Sequence, residues 1–158
     1  MRLVRMLLLV LTMSAAQLLP AQYRYGTPMK ALDFEGVTVD GRDYCLQESQ
    51  SEHIILCFWS VDCEYCHDFL KKLRRRVDLK NDYELVTFAL AECADDVQKE
   101  VKKLRLPGWH FYDPSGWDSD PFMDYDVNIT PTIVLIDKDK NRIGEAYDWE
   151  EFRELIKK

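Results

Sequence analysis

The stretch His53–Cys66, HIILCFWSVDCEYC, places a pair of cysteines just beyond a continuous apolar run. The run from His53 to Trp59 predicts a central β-strand, because a strand covered on both faces is expected to be apolar almost throughout. Beyond the cysteines, apolar residues recur at helical spacing, which predicts a helix: Phe69, Leu70, Leu73 and Val77. The cysteines therefore lie where a buried strand passes into a helix.

Cys63 and Cys66 carry the clearest chemical signal in the chain. A thiolate at a helix start is stabilised by N–H groups that have no partner within the helix, and thiolate is the form that attacks a disulfide. Two intervening residues let Cys66 reach a mixed disulfide formed on Cys63. Half a zinc site and a purely structural disulfide are the alternatives. Zinc needs two further ligands, and the sequence has no second CxxC or paired His motif.

The rest of the chain predicts a mixed α/β order. Two short alternating runs between Leu32 and Leu46 surround Asp40-Gly41, which indicates a hairpin. Further strands are predicted over 83–91, 129–137 and 143–146, with a short one near 109–113, and helices over 95–104 and 148–156. The segment 114–126 is predicted to be mostly loop and turn.

Composition fits one globular domain. The chain has 158 residues, of which 47% are hydrophobic and 31% charged, too apolar for a disordered chain. Its 28 acidic and 21 basic residues give a formal charge of −7, which argues against nucleic acid as a partner.

Residues 1–21 have the layout of a secretory signal peptide. Arg2 and Arg5 precede an apolar run that is followed by small and polar residues. The run is short for a membrane anchor, which needs about 20 apolar residues. We expect cleavage after Ala21, with Ala16 as the second choice. Export removes both arginines, changes the charge from −7 to −9 and leaves no stable membrane span in residues 22–158. In an oxidising compartment, cysteines favour disulfides or redox pairs.

Over roughly residues 30–157 the chain resembles the thioredoxin superfamily, in particular its exported TlpA/ResA-like branch. The resemblance rests on Phe58-Trp59-Ser60-x-x-Cys63-x-x-Cys66, on Thr130-Pro131-Thr132 before an apolar strand, and on the N-terminal hairpin. It implies a thioredoxin fold, with a central mixed β-sheet flanked by helices and an N-terminal β-hairpin extension.

The resemblance also implies the roles of individual residues. Cys63 would be the nucleophile, Cys66 the resolving cysteine, and Pro131 a cis-proline that turns the Thr130 backbone toward Cys63. An ordinary trans proline is the alternative at Pro131. We expect substrate contacts from Thr130, Pro131, Trp59, Glu64 and Tyr65. No cofactor or metal is expected, because the cysteines carry the electrons.

Departures from the family pattern bear on redox character. Cys57 stands where thioredoxins keep a buried Asp, and we interpret it as a small apolar residue rather than a third redox partner. Asp62 replaces a common Trp, and Tyr65 a common Pro or His. The carboxylates of Asp62 and Glu64 would raise the pKa of Cys63 and favour a reductant, unless both point into solvent.

The sequence alone does not decide the roles of four other residues. His67 follows the motif and is expected to be an exposed helical residue rather than a proton shuttle. Cys93, at a strand end, is either a third thiol near the motif, a free buried thiol, or bonded to Cys45. Trp117 is a candidate for substrate contact.

The sequence thus predicts an exported, periplasmic or secreted thiol-disulfide oxidoreductase. Its partners would be protein disulfides in the cell envelope and an upstream electron donor. A redox-inactive peptide-binding module and a thiol peroxidase are the alternatives.

Overall fold

A computed structural model describes residues 29–157, so the predicted signal peptide, residues 1–21, lies outside the described residues. The elements follow one another in the order β1 (Glu35–Val37), β2 (Asp43–Cys45), β3 (His53–Ser60), α1 (Glu64–Arg76), β4 (Glu84–Leu90), α2 (Ala94–Leu104), β5 (Trp109–Tyr112), α3 (Asp120–Asp124), β6 (Thr132–Asp137), β7 (Arg142–Ala146) and α4 (Trp149–Leu155). Single turns of 3-10 helix cover Leu46–Glu48 and Gly116–Asp118.

The main sheet has the strand order β5-β4-β3-β6-β7, and β1 pairs with β2 in a separate hairpin. Strands β3, β4 and β5 are parallel, whereas β6 and β7 are antiparallel to their neighbours. The carboxyl ends of β3, β4 and β5 therefore meet the amino end of β6 at one edge of the sheet. We call this edge the Cys63 edge, because Cys63 follows β3 there.

Two apolar layers cover the sheet. Helices α1, α2 and α4 pack on one face, where the odd-numbered residues of β3 are fully buried: Ile55, Cys57 and Trp59. The hairpin segment and α3 pack on the other face, against Ile54, Leu56 and Phe58. Because β3 is covered on both faces, no side chain between Ile54 and Trp59 reaches solvent.

The predicted α/β fold with an N-terminal hairpin is confirmed. The principal error is helix α3, which lies in a segment predicted to be loop and turn. Pro121 stands in the first turn of this helix, and Phe122 is buried beneath it against Phe58, with ring centroids 5.1 Å apart. Within residues 29–157, no helix is both long enough and apolar enough to cross a membrane.

Candidate active site at the Cys63 edge

Cys63 is fixed at the junction between β3 and α1. Its backbone N–H donates to Ser60 O at 3.1 Å, and the N–H of Val61 donates to Leu90 O at 3.0 Å, which ties the junction to β4. Cys63 is the N-cap of α1, and its Sγ accepts the backbone N–H of Cys66 at 3.1 Å. The sulfur thus takes the position that a Ser or Asp oxygen usually takes at a helix start.

Cys63 and Cys66 form a disulfide, with their Cα atoms 5.2 Å apart. Cys66, in the first turn of α1, is fully buried, whereas Cys63 is partly exposed. A partner in solution therefore reaches the sulfur of Cys63 and not that of Cys66. In the reduced chain a Cys63 thiolate would occupy this position, where the Cys66 N–H stabilises negative charge.

The segment before β6 lies against the disulfide. The Thr130–Pro131 peptide bond is cis, and Thr130 O lies 3.7 Å from Cys63 Sγ. Thr130 is partly exposed and Pro131 is buried. The hydroxyl of Thr132 donates to Ile129 O at 2.8 Å and holds the turn closed. The structure therefore brings Thr130 and Pro131 together with the two cysteines.

The remaining predicted substrate contacts divide into two groups. Glu64 is exposed, and Tyr65 is 83% exposed, so both are open to a partner at the Cys63 edge. The prediction for Trp59 is wrong, because its side chain is fully buried between the sheet and α1, where no group in residues 29–157 accepts a hydrogen bond from Nε1. Trp59 supports the helix that carries the cysteines.

Asp62 and Glu64 both stand at the surface beside the motif. The backbone N–H of Asp62 donates to Ser60 Oγ at 3.3 Å, which orders the turn before Cys63. That these carboxylates raise the pKa of Cys63 stays a prediction.

A buried polar pair, Thr87 and His110, lies on the face of the sheet that carries the Cys57 side chain. Cys57 is fully buried, and burial raises the pKa of its thiol. Thr87 is its partner on β4, and Thr87 Oγ1 lies 2.9 Å from His110 Nδ1 on β5. Burial lowers the pKa of His110 to about 4, so the ring is neutral near pH 7. This pair was not predicted from the sequence. The alternation of Leu85, Thr87 and Ala89 toward one face was the available signal.

His67 differs from its prediction. It is partly buried between α1 and α2, with its ring 6.0 Å from that of Trp59 and Nε2 3.9 Å from a carboxylate oxygen of Glu100. Burial occurs because His67 lies on the side of α1 that faces α2 rather than on the solvent side.

The other three cysteines are free. A bond between Cys45 and Cys93, which the sequence left open, is therefore not formed. Cys93 is exposed at the start of α2, where its Sγ contacts Asp96 Oδ2 at 3.3 Å. Among residues 29–157, no three His, Cys, Asp or Glu side chains are grouped so that they could hold a metal ion.

The comparisons with known proteins agree with this geometry. A family model described as a thioredoxin-like domain matches residues 46–158. The chain therefore belongs to the thioredoxin-like domain family. A comparison with curated protein sequences gave no match.

Solved structures share the fold at low identity. A thiol-disulfide oxidoreductase from Bacteroides fragilis is 18% identical, with a TM-score of 0.70, over 81% of this chain and 97% of the other. A thiol:disulfide interchange protein from Chlorobium tepidum is also 18% identical, with a TM-score of 0.66, over 84% and 96%. A secreted disulfide oxidoreductase from Mycobacterium tuberculosis, homologous to Escherichia coli DsbE, has 18% identity and a TM-score of 0.66, over 78% and 94%.

Proposed function

We propose that this protein is an exported thiol-disulfide oxidoreductase that reduces disulfides of other proteins in the cell envelope. The observation that carries the proposal is the asymmetry of the Cys63–Cys66 pair. The Cys63 sulfur is partly exposed and accepts the Cys66 N–H, whereas Cys66 is fully buried behind it. This asymmetry supports a scheme in which Cys63 attacks a partner and Cys66 completes the reaction.

The reaction has two exchange steps. The Cys63 thiolate attacks one sulfur of a substrate disulfide, which breaks that bond, forms a mixed disulfide and releases the other substrate sulfur as a thiolate. The Cys66 thiolate then attacks Cys63 Sγ, which releases the second substrate sulfur and closes the Cys63–Cys66 bond. Two electrons pass to the substrate, and the released thiolates take up protons. A dithiol donor upstream must reduce the pair again.

Thr130 would align the substrate. Its carbonyl lies 3.7 Å from Cys63 Sγ, and the residue is partly exposed, so its backbone is available to an extended polypeptide beside the disulfide. Glu64 and Tyr65 would contact the substrate from the other side of Cys63. No dissociable cofactor takes part in this scheme, since the cysteines accept and return the electrons.

Export rests on the sequence of residues 1–21, which we propose is a cleaved signal peptide. The M. tuberculosis structure with the same fold is described as secreted, which supports the same setting here. Expression of the full chain in a bacterial host, followed by N-terminal sequencing of the envelope fraction, tests this part. A mature N-terminus at Gln22 supports export, and retention of Met1 in the cytosol contradicts it.

Insulin reduction with dithiothreitol tests the activity. We expect wild-type protein to accelerate insulin precipitation. The variants Cys63→Ser and Cys66→Ser should each lose at least about 90% of the rate, because each removes one of the two exchange steps. The matched control is Cys93→Ser, which removes an exposed cysteine outside the pair and should keep the rate. Equal rates for all four proteins would favour a peptide-binding module, and peroxide consumption would favour a peroxidase.

Trapping identifies the substrates. In Cys66→Ser, the mixed disulfide on Cys63 has no resolving thiol and should accumulate on envelope proteins as bands that disappear on reduction. The double variant Cys63→Ser/Cys66→Ser is the control and should trap nothing.

A further inference from the structure

Charge is distributed unevenly between the two edges of the sheet. The segments 61–68, 91–98 and 113–131 follow β3, β4 and β5 at the Cys63 edge, and they contain no Lys or Arg. They do contain eleven acidic residues: Asp62, Glu64, Asp68, Glu92, Asp95, Asp96, Asp113, Asp118, Asp120, Asp124 and Asp126.

Most basic residues of helices α1 and α2 lie toward the other edge. Helices α1 and α2 both begin at the Cys63 edge and run away from it, and their last turns carry most of the cations: Arg74, Arg75, Arg76, Lys102 and Lys103. Helix α1 spans 13 residues, so its basic end is about 20 Å from its start. Cations offset part of this acidic set: Lys71 Nζ lies 3.7 Å from Asp68 Oδ1, Lys99 lines a surface pocket together with Asp62 and Glu92, and Arg142 lines another with Asp124 and Asp126. Because eleven carboxylates outnumber these three cations, the net charge of the segments at the Cys63 edge stays negative.

Exposed apolar side chains lie among these carboxylates. Tyr65 is 83% exposed within the motif, and Ile129, next to Thr130, is 54% exposed. Trp117 is 46% exposed in a loop that rests on the end of β4, where a Cβ added to Gly116 would lie 3.8 Å from a methyl of Leu90. Two of these residues adjoin the disulfide, since Tyr65 lies between the two cysteines and Ile129 precedes Thr130, whose carbonyl oxygen is 3.7 Å from Cys63 Sγ. Exposed apolar side chains rimmed by polar residues mark docking surfaces.

We propose that the Cys63 edge docks positively charged, extended polypeptides, and that this charge selects the substrates of the enzyme. An apolar residue of the partner would cover Tyr65, Ile129 and Trp117, while Lys or Arg side chains flanking its disulfide reach the carboxylates of Asp62, Glu92 and Asp118. The inference rests on the proposed function and names the substrate class. A second copy of this chain is disfavoured as the occupant, because it would present the same eleven acidic residues.

Matched peptides test the charge dependence. Each contains one disulfide and the same apolar residue, with Lys, Gln or Glu on both sides of the disulfide. The full-length protein, reduced with dithiothreitol and freed of excess reagent, is mixed with each peptide, and the rate of Cys63–Cys66 oxidation is followed by Trp fluorescence. We expect the Lys peptide to react about tenfold faster than the Glu peptide at low salt, and about twofold faster at 0.5 M salt.

Two double variants test whether the carboxylates at the Cys63 edge cause the dependence of the rate on peptide charge. Glu92→Gln/Asp118→Asn removes two exposed carboxylates at the Cys63 edge, neither of which has a side-chain hydrogen bond in residues 29–157. It should lower the Lys-to-Glu rate ratio about threefold. Glu48→Gln/Glu52→Gln makes the same change in charge near the start of β3, at the opposite edge, and should keep the wild-type ratio.

The outcomes separate the two proposals. Equal rates for the three peptides would overturn the charge selection and leave the oxidoreductase function standing. The charge selection would also be overturned if the Glu peptide reacted faster than the Lys peptide, or if both double variants lowered the Lys-to-Glu rate ratio equally. No reaction with any peptide by the folded, reduced protein would overturn the oxidoreductase function itself. If sedimentation shows that the wild-type protein is a dimer and that Glu92→Gln/Asp118→Asn is a monomer, then the surface binds a second copy of the chain instead of a substrate.

Discussion

His110 is a buried imidazole whose Nδ1 lies 2.9 Å from Thr87 Oγ1, and its Nε2 has no hydrogen-bond partner among the described residues. The charges of Asp40 and Arg42 also act on the ring, in opposite directions. Desolvation lowers its pKa from 6.5 to about 4 because burial disfavours the charged ring. The folded chain therefore keeps this ring neutral at mildly acidic pH, whereas the unfolded chain protonates it.

This difference makes the stability of the protein depend on pH. Between pH 6.5 and about 4 the unfolded state binds a proton that the folded state does not, so the free energy of unfolding falls as pH falls. Between pH 7 and pH 4.5, the free energy of unfolding should therefore fall less in His110→Asn than in the wild type, by about 2 kcal/mol. Urea unfolding at both pH values measures it.

The matched control is His53→Gln, at the partly exposed start of β3. Carboxylates that titrate near pH 4.5 affect all three proteins equally and cancel in the comparison. Between pH 7 and pH 4.5, His53→Gln should lose as much free energy of unfolding as the wild type. If His110→Asn also shows the wild-type loss, the ring is not kept neutral by burial.

The elements were predicted well where a long pattern defines them. β3, α1 and β6 follow from apolar runs and helical spacing, and the CxxC motif located the reactive pair. Helix α3 was missed because five residues cannot show a helical period, and burial of Phe122 against Phe58 decides its conformation. The error at Trp59 was avoidable, since a strand predicted to be covered on both faces has no exposed side chain.

Gly108, directly before β5, has a conformation that only glycine adopts easily. Its φ is +109°, and an added Cβ would clash with Leu85 O, on the neighbouring strand. Gly108→Ala should therefore lower the free energy of unfolding by about 3 kcal/mol or more, since both strain and a backbone clash must be relieved. Urea unfolding at neutral pH measures the change.

Gly41, in the hairpin turn, is the control. Its φ is +82°, but an added Cβ would meet nothing within 4 Å. Gly41→Ala should cost only the backbone strain, about 1 kcal/mol. Equal costs for the two variants would mean that the contact with Leu85 O can relax.

At the scale of the whole molecule, the N-terminal segment acts as one layer of the core. Leu46 is fully buried in the layer that includes Phe58 and Phe88, whereas Leu32, in the same segment, is 45% exposed. Leu46→Ala should destabilise the protein by about 2 to 5 kcal/mol, because it leaves a cavity between the hairpin segment and the sheet.

Leu32→Ala should change stability by about 0.5 kcal/mol or less. Thermal unfolding of both variants compares them. A similar loss of stability in the two would show that the hairpin segment does not pack on the sheet as described.

The hairpin segment also covers the outer edge of strand β5. Strand β5 is the last strand on one side, and unpaired backbone groups on such a strand invite pairing with another chain. Here the N–H of Val39 donates to His110 O at 2.8 Å, and Arg42 Nη2 donates to Gly108 O at 2.7 Å. The Arg42 guanidinium also lies 4.3 Å from the centre of the Trp109 ring. An incoming strand would have to displace these contacts, so the hairpin protects the sheet against edge-to-edge aggregation.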